Sequence, residues 1–184
     1  MKLYYDPASK FSIKGYISLD TNVLAFCARD PQFFQEFITI TENTDIVIDP
    51  IVRLEFLRGA YQEHTYNEKK QFIEYERFHI MEDHYLTYQQ IYEKALFIGR
   101  ILSHYGKPEM KLGDILILSR LASYQQKILF ATFDKDFSCN LMDRSAVITV
   151  EIVTKQGMFS ELETMQVLSF NHEEFLKFKN KLPQ

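Results

Sequence analysis

Apolar residues recur along this chain in two rhythms. Short apolar runs at residues 15–19, 46–48, 128–132 and 146–153 read as buried strands, the last of them rich in β-branched side chains. Between them lie stretches with helical spacing. The first, residues 23–28, follows directly on the run ending at Leu19, with the helix-capping residues DTN at the join. A second opens at Pro31, a residue suited to a first helical turn, and carries an apolar stripe of Phe33, Phe34, Phe37 and Ile38. A third, residues 51–57, leaves the Asp49-Pro50 turn and stops near Gly59.

Residues 65–105 read as largely helical, with Phe72, Ile73 and Phe78 on the first part and Ile91, Ala95, Ile98, Leu102 and Tyr105 on one face of the second. Gly106-Lys107-Pro108 ends this region, residues 113–126 read as another helix, and residues 172–181 as a short amphipathic one. Strands that alternate with helices predict an α/β fold of three layers, a central parallel sheet covered by helices on both faces. No repeat, low-complexity tract or Ser/Gly-rich linker divides the 184 residues, so one domain is expected. Its core spans about residues 15–153, with a leader at 1–14 and an extension at 154–184 to which the pattern assigns no role.

Composition changes this picture little. With 46% hydrophobic and 25% charged residues the chain matches an ordinary globular protein. Cys27 and Cys139 lack the spacing of zinc or redox motifs and are expected to be buried free thiols. The polar N-terminus has no signal-peptide character and no apolar run reaches membrane-spanning length, so a cytoplasmic protein without a membrane partner is expected. A net charge of −4 runs against a strongly basic nucleic-acid binder, although a local basic rim suffices for phosphate contacts. Candidates for such a rim are Arg53, Arg58, Lys111, Arg120, Lys135 and Arg144, against the plainer reading that scattered cations only keep a surface soluble.

The chemistry lies in four acids. Asp20 and Asp134 stand just past strand ends, Glu55 on a helix after a strand, and Asp114 at a helix start. In an open parallel sheet such positions converge on the crevice outside the carboxyl ends of the strands. Carboxylates gathered there repel one another and raise each other's pKa unless a cation compensates. Oxygen ligands without Cys or His suit Mg²⁺ or Mn²⁺, with water and substrate phosphate completing the shell. That donor set points to metal-assisted phosphodiester hydrolysis, with water attacking in line and a ribose 3′-oxygen leaving. The histidines, His64, His79, His84, His104 and His172, show no ligand spacing or general-base pair.

The segments ISLDTNVLAF, IVRLEFLRG, LGDILILSRLAS and ILFATFDKDF together resemble the four motifs of PIN-domain nucleases, over about residues 15–150. Within that family the likeness is to VapC-like toxins of type II toxin-antitoxin pairs. The resemblance implies a hydrolase, an endoribonuclease that uses Mg²⁺ or Mn²⁺, cuts RNA, forms a homodimer and is silenced by a cognate antitoxin. It implies Asp20, Glu55, Asp114 and Asp134 as catalytic metal ligands, with Asp136 as an alternative or supporting acid. Asn22 and Thr132 are implied as groups that support the ligands or contact substrate, while Thr21 is left a role in the turn. The leader and the extension both exceed the compact toxins, without interrupting a motif.

Each motif has a plainer reading. DTN is a good helix cap, a glutamate such as Glu55 is usually solvated, Asp114 favours a helix N-terminus, and FDKDF makes an ordinary charged turn. Their order on the predicted elements is what favours a shared site. Tyr61, Tyr66, Phe72, Tyr75 and Phe78 form either a base-stacking platform or, the favoured reading, a helix-packing stripe. Two other functions compete: a haloacid-dehalogenase-type phosphatase, whose second acid is replaced here by Asn22, and a non-catalytic RNA-binding or regulatory module on the same fold.

Overall fold

A computed structural model describes residues 2–5, 15–81, 87–124, 127–153 and 160–181. It is an α/β structure built on a seven-stranded sheet with the order β1-β6-β7-β5-β2-β3-β4. The strands are β1 (Lys2–Tyr5), β2 (Gly15–Leu19), β3 (Thr44–Ile48), β4 (Phe78–Ile80), β5 (Ile128–Thr132), β6 (Met142–Val153) and β7 (Ser160–Phe170). The helices are α1 (Thr21–Arg29), α2 (Pro31–Ile40), α3 (Pro50–Arg58), α4 (Glu63–Ile73), α5 (Tyr88–His104), α6 (Leu112–Leu121) and α7 (His172–Lys181).

Local chemistry explains most helix starts. Asp30 and Asp49 accept backbone N–H bonds from Phe33 and Ile51, and each precedes a proline in the first helical turn. Thr87 and Gln90 form a reciprocal capping box at α5. At its other end Gly106 takes a φ of 75°, a left-handed conformation that glycine adopts without the Cβ penalty. Phe33 and Phe37 of α2, Val52 and Phe56 of α3, and Ile98, Ile101 and Leu102 of α5 turn inward to join Ile17, Leu19, Ile46, Ile48, Phe130 and Ala131 of the sheet in one core. Burial of this apolar face supplies the driving force for the fold.

β5, β2, β3 and β4 run parallel, as the alternation of elements predicts. The other half of the sheet is antiparallel, so the expected central parallel sheet is the parallel part of a mixed one. The chain passes outward through β2, β3 and β4, then returns to place β5 on the other side of β2. This reversal of direction between β2's two neighbours makes the carboxyl ends of β2 and β5 the expected place for a crevice.

Three elements differ from the sequence reading. The region 65–105 is not one helical stretch, because Phe78 lies in β4, a three-residue strand too short to show a periodicity and held by pairing with β3. The extension contributes β7, which lies between β5 and β6 and is paired along its whole length, as well as α7, which matches the predicted terminal helix. The leader supplies β1, an antiparallel edge strand on β6. The helix predicted over residues 113–126 ends earlier, at Leu121, where Ala122 closes it with backbone bonds to Leu118 O and Arg120 O; residues 82–86 and 125–126 lie outside the described residues. Cys27 and Cys139 are buried free thiols, as expected. Among the described residues no helix is long and apolar enough to cross a membrane.

Candidate metal centre

Asp20 is the first residue beyond β2, and its backbone N–H still donates to Ala131 O at 2.9 Å, continuing the ladder with β5. Its side chain is 5% exposed. One carboxylate oxygen, Oδ1, accepts the Thr21 N–H at 2.7 Å, so the residue caps α1 while facing the crevice. The other, Oδ2, accepts both the Thr132 hydroxyl at 2.6 Å and the Asn22 amide at 2.7 Å. Thr132 in turn accepts the Asp134 N–H at 2.9 Å, and Asn22 Oδ1 accepts the Phe133 N–H at 3.3 Å. The loop after β5 is thus tied to the start of α1 by the two residues predicted to support Asp20.

Glu55 projects from α3 toward α1, where its Oε2 accepts the Thr21 hydroxyl at 2.7 Å. Its Oε1 approaches α6 so closely that a Cβ built on Gly113 would stand 2.6 Å away. No side chain fits at that position without displacing the carboxylate. Gly113 therefore permits Glu55 to reach the start of α6, beside Asp114.

Asp114, in the first turn of α6, has a buried Oδ2 with no hydrogen-bond partner. Desolvation pushes its carboxyl up from the ordinary 3.8 to about 6, with the charges of Asp20, Asp134 and Glu55 adding to the rise and Lys111 opposing it. Burial likewise raises Asp20, against the hydrogen bonds from Thr132 and Thr21, with further repulsion from Asp134 and Glu55. The four predicted acids therefore lie close enough to perturb one another. They are not drawn tightly round a point: among the described residues, no group of three or more His, Cys, Asp or Glu side chains stands ready to hold an ion.

The donor chemistry fits a hard divalent ion nonetheless. Mg²⁺ is held through one or two carboxylates and keeps several waters, so it needs no preassembled cage. An unpartnered, buried carboxylate oxygen among other negative groups is the kind of position that a cation satisfies. The outermost acid fares differently: Asp136 is exposed, and it is its backbone N–H that contributes, donating to Asp134 Oδ1 at 2.8 Å.

Two residues escaped the sequence reading. Thr21, by its sequence a turn residue, positions Glu55, and Gly113, which in LGD directly precedes an acid, leaves that glutamate its room. One predicted rim residue has another role. Arg120 is 2% exposed and forms a buried ion pair with Asp49, to which the Tyr124 hydroxyl also donates at 2.7 Å. Asp49 caps α3 with its other oxygen, so this cluster couples α3, which carries Glu55, to α6, which carries Asp114. Burial and the Asp49 charge raise the Tyr124 phenol well above its ordinary range, keeping it a neutral donor.

No family model and no curated protein matches the chain. Among solved structures it is similar to VapBC2 from Rickettsia felis bound to a DNA fragment from its promoter, with a TM-score of 0.46 and 18% identity, over 59% of this chain and 80% of that one.

Proposed function

We propose that this protein is a Mg²⁺- or Mn²⁺-dependent endoribonuclease that hydrolyses RNA phosphodiester bonds at the crevice formed by Asp20, Glu55, Asp114 and Asp134. The observation that carries the reading is the buried, unpartnered Oδ2 of Asp114 among three other carboxylates. Asp114 and Asp20 are the principal ligands in this reading, with Glu55 and Asp134 completing the negative site. The bound ion supplies activation of water and neutralisation of charge developing on the phosphoryl oxygens.

The chain's own residues supply position. Thr132 and Asn22 both donate to Asp20 Oδ2, which leaves Oδ1, shared with the Thr21 N–H, as its freer oxygen. Thr21 and Gly113 together hold Glu55 over the start of α6. Anchoring the acids on strand ends and helix turns limits how far they must move to close on an ion and so lowers the entropic cost of reaching an in-line geometry. The expected products carry a 3′-hydroxyl and a 5′-phosphate.

Activity as the toxin of a toxin-antitoxin pair belongs to the same proposal, with an antitoxin and a second copy of the chain as partners. The exposed stripe of Tyr88, Tyr92 and Leu96 on α5 supports a protein contact there, since apolar side chains one turn apart on an exposed helix face mark interaction surfaces. The deciding experiment measures RNA cleavage with Mg²⁺ or Mn²⁺ by the parent, Asp20→Asn and Asp114→Asn. Loss of cleavage in both variants is expected. Equal cleavage by all three would refute the site, and RNA affinity without divalent-ion binding or cleavage would establish a non-catalytic RNA-binding module instead.

A further inference from the structure

Beside the acidic crevice, α3 presents a second surface. An open groove of about 480 Å³ runs along this helix and is lined by Arg53, Leu54, Leu57, Arg58 and, from α4, Tyr66. None of the residues lining it is acidic, although the chain as a whole carries a net charge of −4. Its apolar side chains are unusually open to water, with Leu54 63% and Tyr66 41% exposed. The Arg53 Nε–H is buried from solvent and has no hydrogen-bond partner. A buried donor left unpaired is costly, and turning the guanidinium outward to a charged acceptor in the groove would relieve it.

Neighbouring groups do not compete for that role. Lys69 of α4 already donates to Phe56 O at 2.7 Å, near the end of α3. Phe72 and Tyr75, which the sequence grouped with Tyr66 as a possible platform, pack instead with Phe34 and Phe78. Tyr66 is left facing the groove beside two guanidinium groups.

We infer that this groove is a binding track for single-stranded RNA, with Arg53 and Arg58 on successive phosphates and the Tyr66 ring under a base. Guanidinium groups bind phosphate oxygens bidentately, and an exposed aromatic ring stacks on any base, so the pairing of the two matches a single strand. α3 also carries Glu55, which places the track and the acidic crevice on one rigid element. Phosphates gripped at Arg53 and Arg58 would then fix which part of the strand reaches the carboxylates. The inference takes its ligand from the proposed function and adds to it where that ligand lies.

The test measures fluorescence anisotropy of a short labelled single-stranded RNA of mixed sequence with the full chain in EDTA, so that binding is read without cleavage. Arg53→Gln/Arg58→Gln is expected to weaken binding about tenfold at low salt and to flatten the dependence of log K on log salt by about 1.4, two phosphates at about 0.7 each. Tyr66→Leu is expected to weaken binding about tenfold and leave that slope unchanged. Thermal melting checks that each variant is folded.

A double variant that binds RNA with the parent's affinity and slope overturns the inference. The same holds if that variant loses only the binding of a polyglutamate peptide, which would make the groove a protein-docking surface. Groove-dependent binding by a parent that never cuts RNA with Mg²⁺ or Mn²⁺ would sink the nuclease reading and keep the track. Cleavage with groove-independent binding would do the reverse.

Discussion

Replacing Asp114 with asparagine should make the metal-free protein more stable, because the native state holds this carboxylate where its charge is unwelcome. Its carboxyl is raised from 3.8 to about 6, and at about 1.4 kcal/mol per pH unit the rise corresponds to a ceiling of about 3 kcal/mol. The group is only half-buried, so water screens much of that, and about 1 kcal/mol is the expected gain at pH 7. Below about pH 4 both folded and unfolded chains carry the proton and the gain should vanish. Between pH 4 and 6 the folded parent binds more protons than the unfolded, so its stability falls as pH rises, with the full cost present above about 6. Urea denaturation in EDTA at pH 4, 5, 6, 7 and 8, for parent and Asp114→Asn, reads this directly. Adding Mg²⁺ at ten times its Kd should then stabilise the parent by about 1.4 kcal/mol and the variant by far less. A variant no more stable than the parent at pH 7, or a gain that persists unchanged at pH 4, would refute the electrostatic reasoning.

Gly113→Ala should keep or slightly raise the melting temperature, since alanine favours a helix over glycine by about 1 kcal/mol, while lowering cleavage by up to about 100-fold because the new methyl displaces Glu55. A variant as active as the parent would show that Glu55 needs no such placement. Thr132→Val removes a hydrogen bond that holds the Asp20 pKa down; the acidic limb of the cleavage profile should move to higher pH, at a stability cost of about 1–3 kcal/mol for the polar atoms left unpaired. An unmoved limb would count against Asp20 as the titrating ligand. Arg120→Leu strands a buried Asp49 carboxylate and should cost about 3–5 kcal/mol in urea denaturation. A loss below about 1 kcal/mol would mean the pair does not join α3 to α6.

The amino-acid pattern by itself determined what depends on near neighbours. Strand runs such as Ile128–Thr132, the Asp30-Pro31 and Asp49-Pro50 helix starts and the stop at Gly106 are read from side chains that act on their own backbone within one turn. The order of four acids on alternating elements also pointed to one crevice, because parallel strands deliver their carboxyl ends to the same edge. Tertiary structure decided what depends on partners distant in sequence. β4 is a strand only because β3 offers it hydrogen bonds, and β7, part of an extension to which the pattern assigns no role, inserts between β5 and β6. Arg120 looks like any surface cation until the fold brings Asp49 from 71 positions away to neutralise it, and only the packing of α3 against α6 reveals that Gly113 must lack a side chain. A residue's type limits what chemistry it can perform. Burial and the charge of groups brought beside it decide whether it performs that chemistry, and both come from the assembled chain.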